Sequence, residues 1–170
     1  HSESAAEHSA LGSIFEKKGQ LEDARKHIDK ALKIDPTHLH ARINFATLKQ
    51  LHGKNEDAKR IYESLLTDYQ ENGDLRNNLA NLYLTQGRYS EGWSNYEYRW
   101  KVSPLVNAVW PIKGKDIWNG EKDKDVVLWR EQGIGDDILF LGLTPEARDR
   151  SRRLSVYVDP RLVVLCKRSI

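Results

Sequence analysis

The sequence predicts a mainly α-helical protein: a solenoid of three helix pairs, followed by a partial α/β segment. Two observations predict this fold class. Glycines recur at a fixed spacing of 34 residues through the first hundred residues, as Gly19, Gly53 and Gly87. After Trp100 the helical periodicity stops, and a short β-branched run and a glycine-rich turn follow. We therefore expect a repeat architecture in the first part and a different fold in the second.

Composition limits the classes of function. The chain has 170 residues, 39% of them apolar, and a net charge of +2. So balanced a charge argues against nucleic acid as the main partner. The sequence contains no run of about 18 apolar residues, so no membrane span is predicted. A single cysteine excludes an internal disulfide framework. The opening residues contain neither an initiator Met nor a signal-peptide core, so we interpret the chain as a fragment or a processed chain. We expect a cytoplasmic location.

Other classes of residue keep the same 34-residue register. A small residue follows each glycine by five places, and large apolar residues recur at equivalent positions. The small residues are Ala24, Ala58 and Gly92. The stretch LGSIFEKKGQLEDARKHIDKALKIDP closely resembles the tetratricopeptide consensus. The resemblance implies three units within residues 1–101, near 5–38, 39–72 and 73–101.

Each unit is expected to form two antiparallel helices. We predict first helices near 7–17, 41–51 and 75–85, and second helices near 21–34, 55–69 and 89–101. The glycine permits the left-handed backbone that ends the first helix, and the small residue lets the two helices approach closely. One pair cannot bury its apolar face alone, so the pairs should stack. An unrelated helical bundle is the alternative, and the shared register disfavours it.

The resemblance implies that the first helices line a concave groove where extended peptides bind. The sixth place of the second and third units holds Asn44 and Asn78, and Asn77, Asn81 and Thr47 occupy neighbouring places. An asparagine offers a donor and an acceptor, so a row of them can pair with a peptide backbone of any sequence. The arrangement resembles the asparagine ladder of the O-GlcNAc transferase family. The alternative is that these are solvated polar residues on a helix face.

The last predicted helix carries an aromatic stripe. Tyr89, Trp93, Tyr96 and Trp100 fall at i, i+4, i+7 and i+11, which places them on one face of an α-helix. Such a stripe is more typical of buried packing than of a ligand site. We therefore expect it to dock onto the segment that follows.

The second part of the chain has a different pattern. Prolines and glycines in residues 102–120 predict an irregular crossover. Residues 125–130 and 154–158 read DVVLWR and LSVYV, which predicts two strands. The turn EQGIGDD and an apolar helix lie between them, and PRLVVLCKRS predicts a final helix. This order is the opening of a doubly wound, Rossmann-like parallel sheet, which we assign to residues 121–170.

The stretch from EGWSNYEYRW through WNG to EQGIGDDILFL resembles bacterial proteins in which tetratricopeptide repeats precede a heptosyltransferase-like GT-B glycosyltransferase domain. The resemblance implies that Asp136 is a general base and that Glu131, Gln132, Gly133 and Gly135 line its cleft. The alternative is that Asp136 caps the helix N-terminus. The GT-B class holds the sugar nucleotide mainly on a second domain. We therefore expect no cofactor and no activity in this fragment, with a nucleotide sugar as donor in the parent protein.

Two hypotheses for function follow. The preferred one is a scaffold that binds a protein or peptide and is attached to the beginning of a glycosyltransferase-like domain. The alternative is a self-contained adaptor whose α/β tail only caps the solenoid. We expect the exposed sheet edges either to pair across a homodimer or to lean on the aromatic helix. No metal site is expected, because His38 and His40 lack further ligands at suitable spacing, and Cys166 should be buried.

Overall fold

The structure is a computed structural model that describes residues 4–101, 116–131 and 133–169. Residues 102–115 of the predicted crossover lie outside the described residues, and so does Gln132. The chain divides into two compact units, residues 1–108 and 109–170. The first is helical and the second is α/β.

Three helix pairs form the described part of the helical unit. They are α1 (Ala5–Lys17) with α2 (Leu21–Ile34), α3 (Leu39–Leu51) with α4 (Asn55–Leu66), and α5 (Gly73–Thr85) with α6 (Tyr89–Tyr96). The predicted pairs are therefore present. Helix α4 ends at Leu66, before the predicted limit near residue 69. From α6 the chain continues as a 3-10 helix, Glu97–Lys101, where a longer α-helix was predicted.

The recurring glycines end the first helix of each pair. Gly19, Gly53 and Gly87 have φ angles of 74°, 74° and 75°, in the left-handed region that other residues adopt only at a steric cost. In all three turns the N–H after the glycine donates to the carbonyl five residues earlier, at 2.9 Å. This bond satisfies a carbonyl that the helix end would otherwise leave unpaired. The predicted role of the glycines is confirmed.

Small residues permit the close approach of the paired helices. The buried pairs at equivalent positions are Gly12 and Ala24, Ala46 and Ala58, and Ala80 and Gly92. A Cβ atom at Gly92 would lie 2.6 Å from Leu84 Cδ2 and 3.2 Å from its backbone nitrogen. One at Gly12 would lie 2.6 Å from Ile28 Cγ1. The first and third pairs therefore need glycine at one crossing position, whereas the middle pair has alanine at both.

The apolar core of the helical unit lies between successive pairs. The larger cluster joins the second pair to the third and consists of Ile43, Ala46, Ala58, Tyr62, Leu65, Leu75, Leu79, Leu82 and Tyr83. The smaller cluster joins the first pair to α3 and consists of Ala24, Ile28 and Leu48. Because each cluster draws on neighbouring pairs, each pair depends on the next for its stability.

The aromatic stripe does not follow one α-helical face to its end. Trp93 and Tyr96 meet edge to face, with ring centroids 5.6 Å apart. After Tyr96 the chain becomes a 3-10 helix, so Trp100 no longer falls on the α-helical face of the other three aromatic residues. The guanidinium of Arg99 lies 4.6 Å from the ring centroid of Tyr96 and 4.7 Å from that of Trp100. Tyr89 and Trp93 are exposed. The docking of this stripe onto the following segment stays a prediction.

The described part of the α/β unit contains two strands and three α-helices. They are β1 (Asp125–Trp129), α7 (Ile134–Leu141), α8 (Thr144–Arg150), β2 (Arg153–Tyr157) and α9 (Val163–Ser169), with a 3-10 turn, Pro160–Leu162, before α9. The strands pair in parallel, with Val127 opposite Ser155. Both strands were predicted, but α8 was not. The helical segment between the strands divides after Leu141, and Pro145 stands in the first turn of α8, where proline is tolerated.

The helices of the α/β unit expose much apolar surface to solvent. The side chains that are 50–70% exposed include Ile138, Leu139, Phe140, Leu143, Val164 and Leu165. Cys166 is half-buried, where a buried thiol was expected, because its neighbours on α9 are themselves exposed. A parallel pair of strands occurs in many α/β folds. The Rossmann-like fold therefore stays a prediction.

Candidate functional site

Asn44 lies on α3 and forms hydrogen bonds with α1. Its Nδ2 donates to the carbonyl oxygen of Ser9 at 3.0 Å and to Ser9 Oγ at 3.3 Å. Ser9 is buried, so this contact ties the first helix pair to the second. The Nδ2 group of Asn44, which the asparagine-ladder hypothesis would pair with a bound peptide, is therefore already bonded within the protein.

Thr47 also has a partner within the fold. Its Oγ1 lies 2.9 Å from the hydroxyl of Tyr62 on α4 and donates to the carbonyl of Ile43 at 3.1 Å. The Tyr62 hydroxyl is then the donor of the shorter bond. Burial raises the pKa of Tyr62 to about 12. Thr47 and Tyr62 thus form a neutral hydroxyl pair between α3 and α4.

The asparagines of α5 are placed differently. Asn77 and Asn78 are half-buried and Asn81 is exposed. Asn77 and Asn81 are one turn apart on the helix, with Asn78 beside them. None of the three side chains makes a hydrogen bond to another described residue. Ile43 takes the place that Ser9 holds one repeat earlier. It has no hydroxyl, and its carbonyl oxygen accepts a bond from Thr47 Oγ1 instead of one from Asn78.

The predicted catalytic turn lies at the N-terminus of α7. The Oδ2 atom of Asp136 accepts a hydrogen bond from the backbone N–H of Gly133 at 3.1 Å. Gly133 is the N-cap residue of α7, and Asp136 stands in its first turn, where the helix dipole favours a carboxylate. Asp136 therefore serves as a cap in this structure. Glu131 is half-buried beside the turn, and a Cβ atom at Gly135 would meet no other atom within 4 Å.

Beside this turn lies a charge network that joins the carboxyl ends of both strands. Arg130 Nη1 donates to Asp159 Oδ2 at 2.7 Å, and Arg130 Nε lies 3.4 Å from Asp137 Oδ2. Asp137 also accepts the backbone N–H of Asp159 at 3.3 Å. Arg161 donates to both oxygens of Asp159, at 2.8 Å and 3.0 Å. The carboxylates of Asp137 and Asp159 are buried. The guanidinium groups therefore replace the hydrogen bonds that water would make to them at the surface.

Arg161, and then Arg130, hold the pKa of the Asp159 carboxyl well below its usual range. The same contact raises the pKa of Arg161. The network was not predicted. The sequence signal for this network is a pair of opposite charges at the ends of the two predicted strands. Arg130 is the last residue of DVVLWR, and Asp159 directly follows LSVYV. Parallel pairing brings both residues to one edge of the sheet.

Two kinds of site have no counterpart in the described parts of the chain. Histidine, cysteine, aspartate and glutamate side chains nowhere converge in a group of three or more that could hold a metal ion, within residues 4–101, 116–131 and 133–169. His38 instead caps α3, with its Nδ1 accepting the N–H of Ala41 at 3.2 Å. In the same ranges, no helix is long and apolar enough to cross a membrane.

The fold places the helical unit among the helical-repeat solenoids, because antiparallel helix pairs stack at a fixed period and share their apolar layers. Models of the tetratricopeptide repeat match residues 5–38 and 44–92. The helical unit is thus built from tetratricopeptide repeats, as the 34-residue register predicted. Repeats of this kind support a function as a protein–protein interaction scaffold.

One longer protein is similar to nearly the whole chain. Protein FlbA of Caulobacter vibrioides is 27% identical over 175 residues, an alignment that covers 98% of this chain. The chain spans 29% of the length of that relative. The similarity therefore includes both the helical unit and the α/β unit.

Proposed function

We propose that the helical unit holds an extended segment of a partner polypeptide along the face formed by α1, α3 and α5. The observation that carries this proposal is the set of three asparagines on α5. Asn77, Asn78 and Asn81 have side-chain amides that no other described residue uses. An amide of this kind can donate to a peptide carbonyl and accept from a peptide N–H, so it binds backbone without regard to sequence.

Of the residues in the asparagine-ladder hypothesis, only those on α5 have side chains that are open to a peptide. Asn44 and Thr47 are bound within the protein, so their main contribution is to hold α1, α3 and α4 in register. The α5 asparagines then act as the peptide-binding group. A partner segment would lie across α5 and continue over α3.

Replacing Asn77, Asn78 and Asn81 together with alanine is expected to weaken peptide binding by about 100-fold. Each lost hydrogen bond contributes about 1 kcal/mol, and about 3 kcal/mol corresponds to that factor. The affinity is measured with 12-residue peptides that the wild-type chain selects from an immobilised random library. Asn55→Ala on α4 is the matched control and should bind like the wild type. Equal affinities for the triple variant and the control would contradict the proposal.

For the α/β unit we propose the opening of a glycosyltransferase-like domain. The observation that favours it is the parallel pairing of β1 with β2, with a glycine turn at the carboxyl end of β1, where α/β proteins bind ligands. Under this proposal Asp136 is the general base, and Glu131, Gln132, Gly133 and Gly135 line its cleft. The nucleotide sugar would be held by a different domain.

This chain is accordingly expected to bind no nucleotide sugar by itself. A GT-B donor site needs a second domain, and the proposed cleft contains only acceptor-side residues. Isothermal titration calorimetry with UDP-N-acetylglucosamine and GDP-mannose is the measurement, with the parent nucleotides as controls. Tight binding of either sugar nucleotide to this chain would contradict the proposal that a different domain holds the donor.

A further inference from the structure

Glu16 stands out among the acidic residues of the helical unit. It lies near the end of α1, on the helix face that also carries Ser9 and Ser13. Its side chain is half-buried, yet it forms no hydrogen bond or ion pair with another described residue. Glu63, by contrast, accepts the Tyr83 hydroxyl at 2.9 Å. A carboxylate that has lost water without gaining a partner is costly to the fold.

The carboxylate of Glu16 is partly removed from water. Burial raises the pKa of Glu16, and the neighbouring Lys17 offsets part of the rise. The negative charge of Glu16 in turn contributes to the raised pKa of Tyr62, which bonds to Thr47. By helical spacing Glu16 falls on the face of α1 that the proposed function assigns to the partner.

The other positions along this face are mostly uncharged. They include Ser13, Gln50, Asn77, Asn78 and Asn81, whereas Ser9, Asn44 and Thr47 are bonded within the fold. The residues equivalent to Glu16 in the next two units are Gln50 and Leu84, which carry no charge. Asp74 and Lys17 also fall on this face by helical spacing, and both are exposed. Glu16 differs from them because it is half-buried and has no partner among the described residues.

We propose that Glu16 is a subsite for a basic side chain, lysine or arginine, of the polypeptide segment that binds along α1, α3 and α5. The proposal rests on the proposed function and names the chemistry of the partner. An ammonium or guanidinium group would donate charge-assisted hydrogen bonds to the carboxylate and compensate its lost hydration. The neutral asparagines would hold the backbone, and Glu16 would select the segment and fix its register.

The test uses an immobilised library of random 12-residue peptides, blocked at both ends so that no terminal charge takes part. Peptides retained by the wild-type chain are expected to be enriched about tenfold in lysine or arginine at one position. The Glu16→Gln variant should retain peptides without that enrichment, because a neutral amide loses the charge but keeps the shape. Glu22→Gln, an exposed site on α2, is the matched control and should keep the wild-type preference.

Four results would overturn the proposal. Enrichment that persists in Glu16→Gln, or that is absent from the wild type although peptides bind, contradicts the subsite alone. Failure to retain any peptide contradicts the proposed function as well, so the two failures are distinguishable. A structural role is tested separately by urea unfolding. Since Glu16 has no partner among the described residues, Glu16→Gln should leave the midpoint unchanged or raise it, and a clear fall would contradict the proposal.

Discussion

Replacing Tyr62 with alanine is expected to lower the free energy of unfolding of the helical unit by about 3–5 kcal/mol. The side chain is fully buried in the larger apolar cluster, where α4 packs against α3 and α5. Its removal leaves a cavity lined by residues of the second and third pairs, and also leaves the Thr47 hydroxyl without the Tyr62 partner. Such a loss is a large part of the 5–15 kcal/mol that stabilises a typical domain.

Urea unfolding followed by circular dichroism at 222 nm measures this effect. Tyr62→Phe is the matched control, because it keeps the ring and removes only the hydroxyl, at a cost of about 1 kcal/mol. The comparison belongs at pH 7. Burial raises the pKa of Tyr62 to about 12, so the stability given by the neutral hydroxyl is complete below about pH 10 and is lost as the pH rises through about 12. If both variants lost the same free energy of unfolding, the buried ring of Tyr62 would not be what stabilises the cluster.

The second large effect is expected in the α/β unit. Replacing Arg130 with alanine should destabilise the pairing of β1 and β2 by about 2–4 kcal/mol, somewhat less than for a fully buried ion pair because Arg130 is partly exposed. The change leaves Asp137 and Asp159, both buried, without the cation that lies between them. Hydrogen exchange of the strand amides, followed by mass spectrometry, is the measurement.

Arg161→Ala provides the matched control for Arg130. Arg161 is largely exposed, and Asp159 would keep its bond to Arg130, so the exchange rates should change less. The pKa of the Asp159 carboxyl is held low in the folded state, so its contribution is present above the ordinary pKa of about 3.9 and is lost as the pH falls below it. The effect of Arg130→Ala should therefore shrink in acid. Equal effects of the two arginine variants at pH 7 would contradict the account of the network.

The fold of the helical unit was predictable because its sequence pattern repeats. The glycine, the small residue five places later and the apolar positions recur every 34 residues, so each unit supports the assignment of the others. The ends of α4 and α6 were less predictable, because Leu66 and Tyr96 end helices without a glycine in the left-handed conformation. Such ends depend on local packing more than on residue type.

The roles of individual polar residues were harder to predict. The internal bond of Asn44 depends on a serine 35 residues earlier in the chain, and the repeat pattern treats Asn44 and Asn78 alike. The network of Arg130 with Asp137 and Asp159 depends on the parallel register of two strands, which periodicity does not reveal. The sequence placed Asp136 at the start of a helix but left open whether it caps or catalyses. In the structure its carboxylate accepts the Gly133 N–H, and its catalytic role stays a prediction.

We propose that the asparagines of α5 bind a partner segment, while Asn44 joins α3 to α1. Side-chain amide resonances of asparagine, followed by NMR as a selected 12-residue peptide is added, test it most directly. We expect the amide resonances of Asn77, Asn78 and Asn81 to shift as the peptide concentration rises, and the resonance of the Asn44 amide, which is bonded to Ser9, to stay unchanged. Shifts at Asn44 with none on α5 would contradict it.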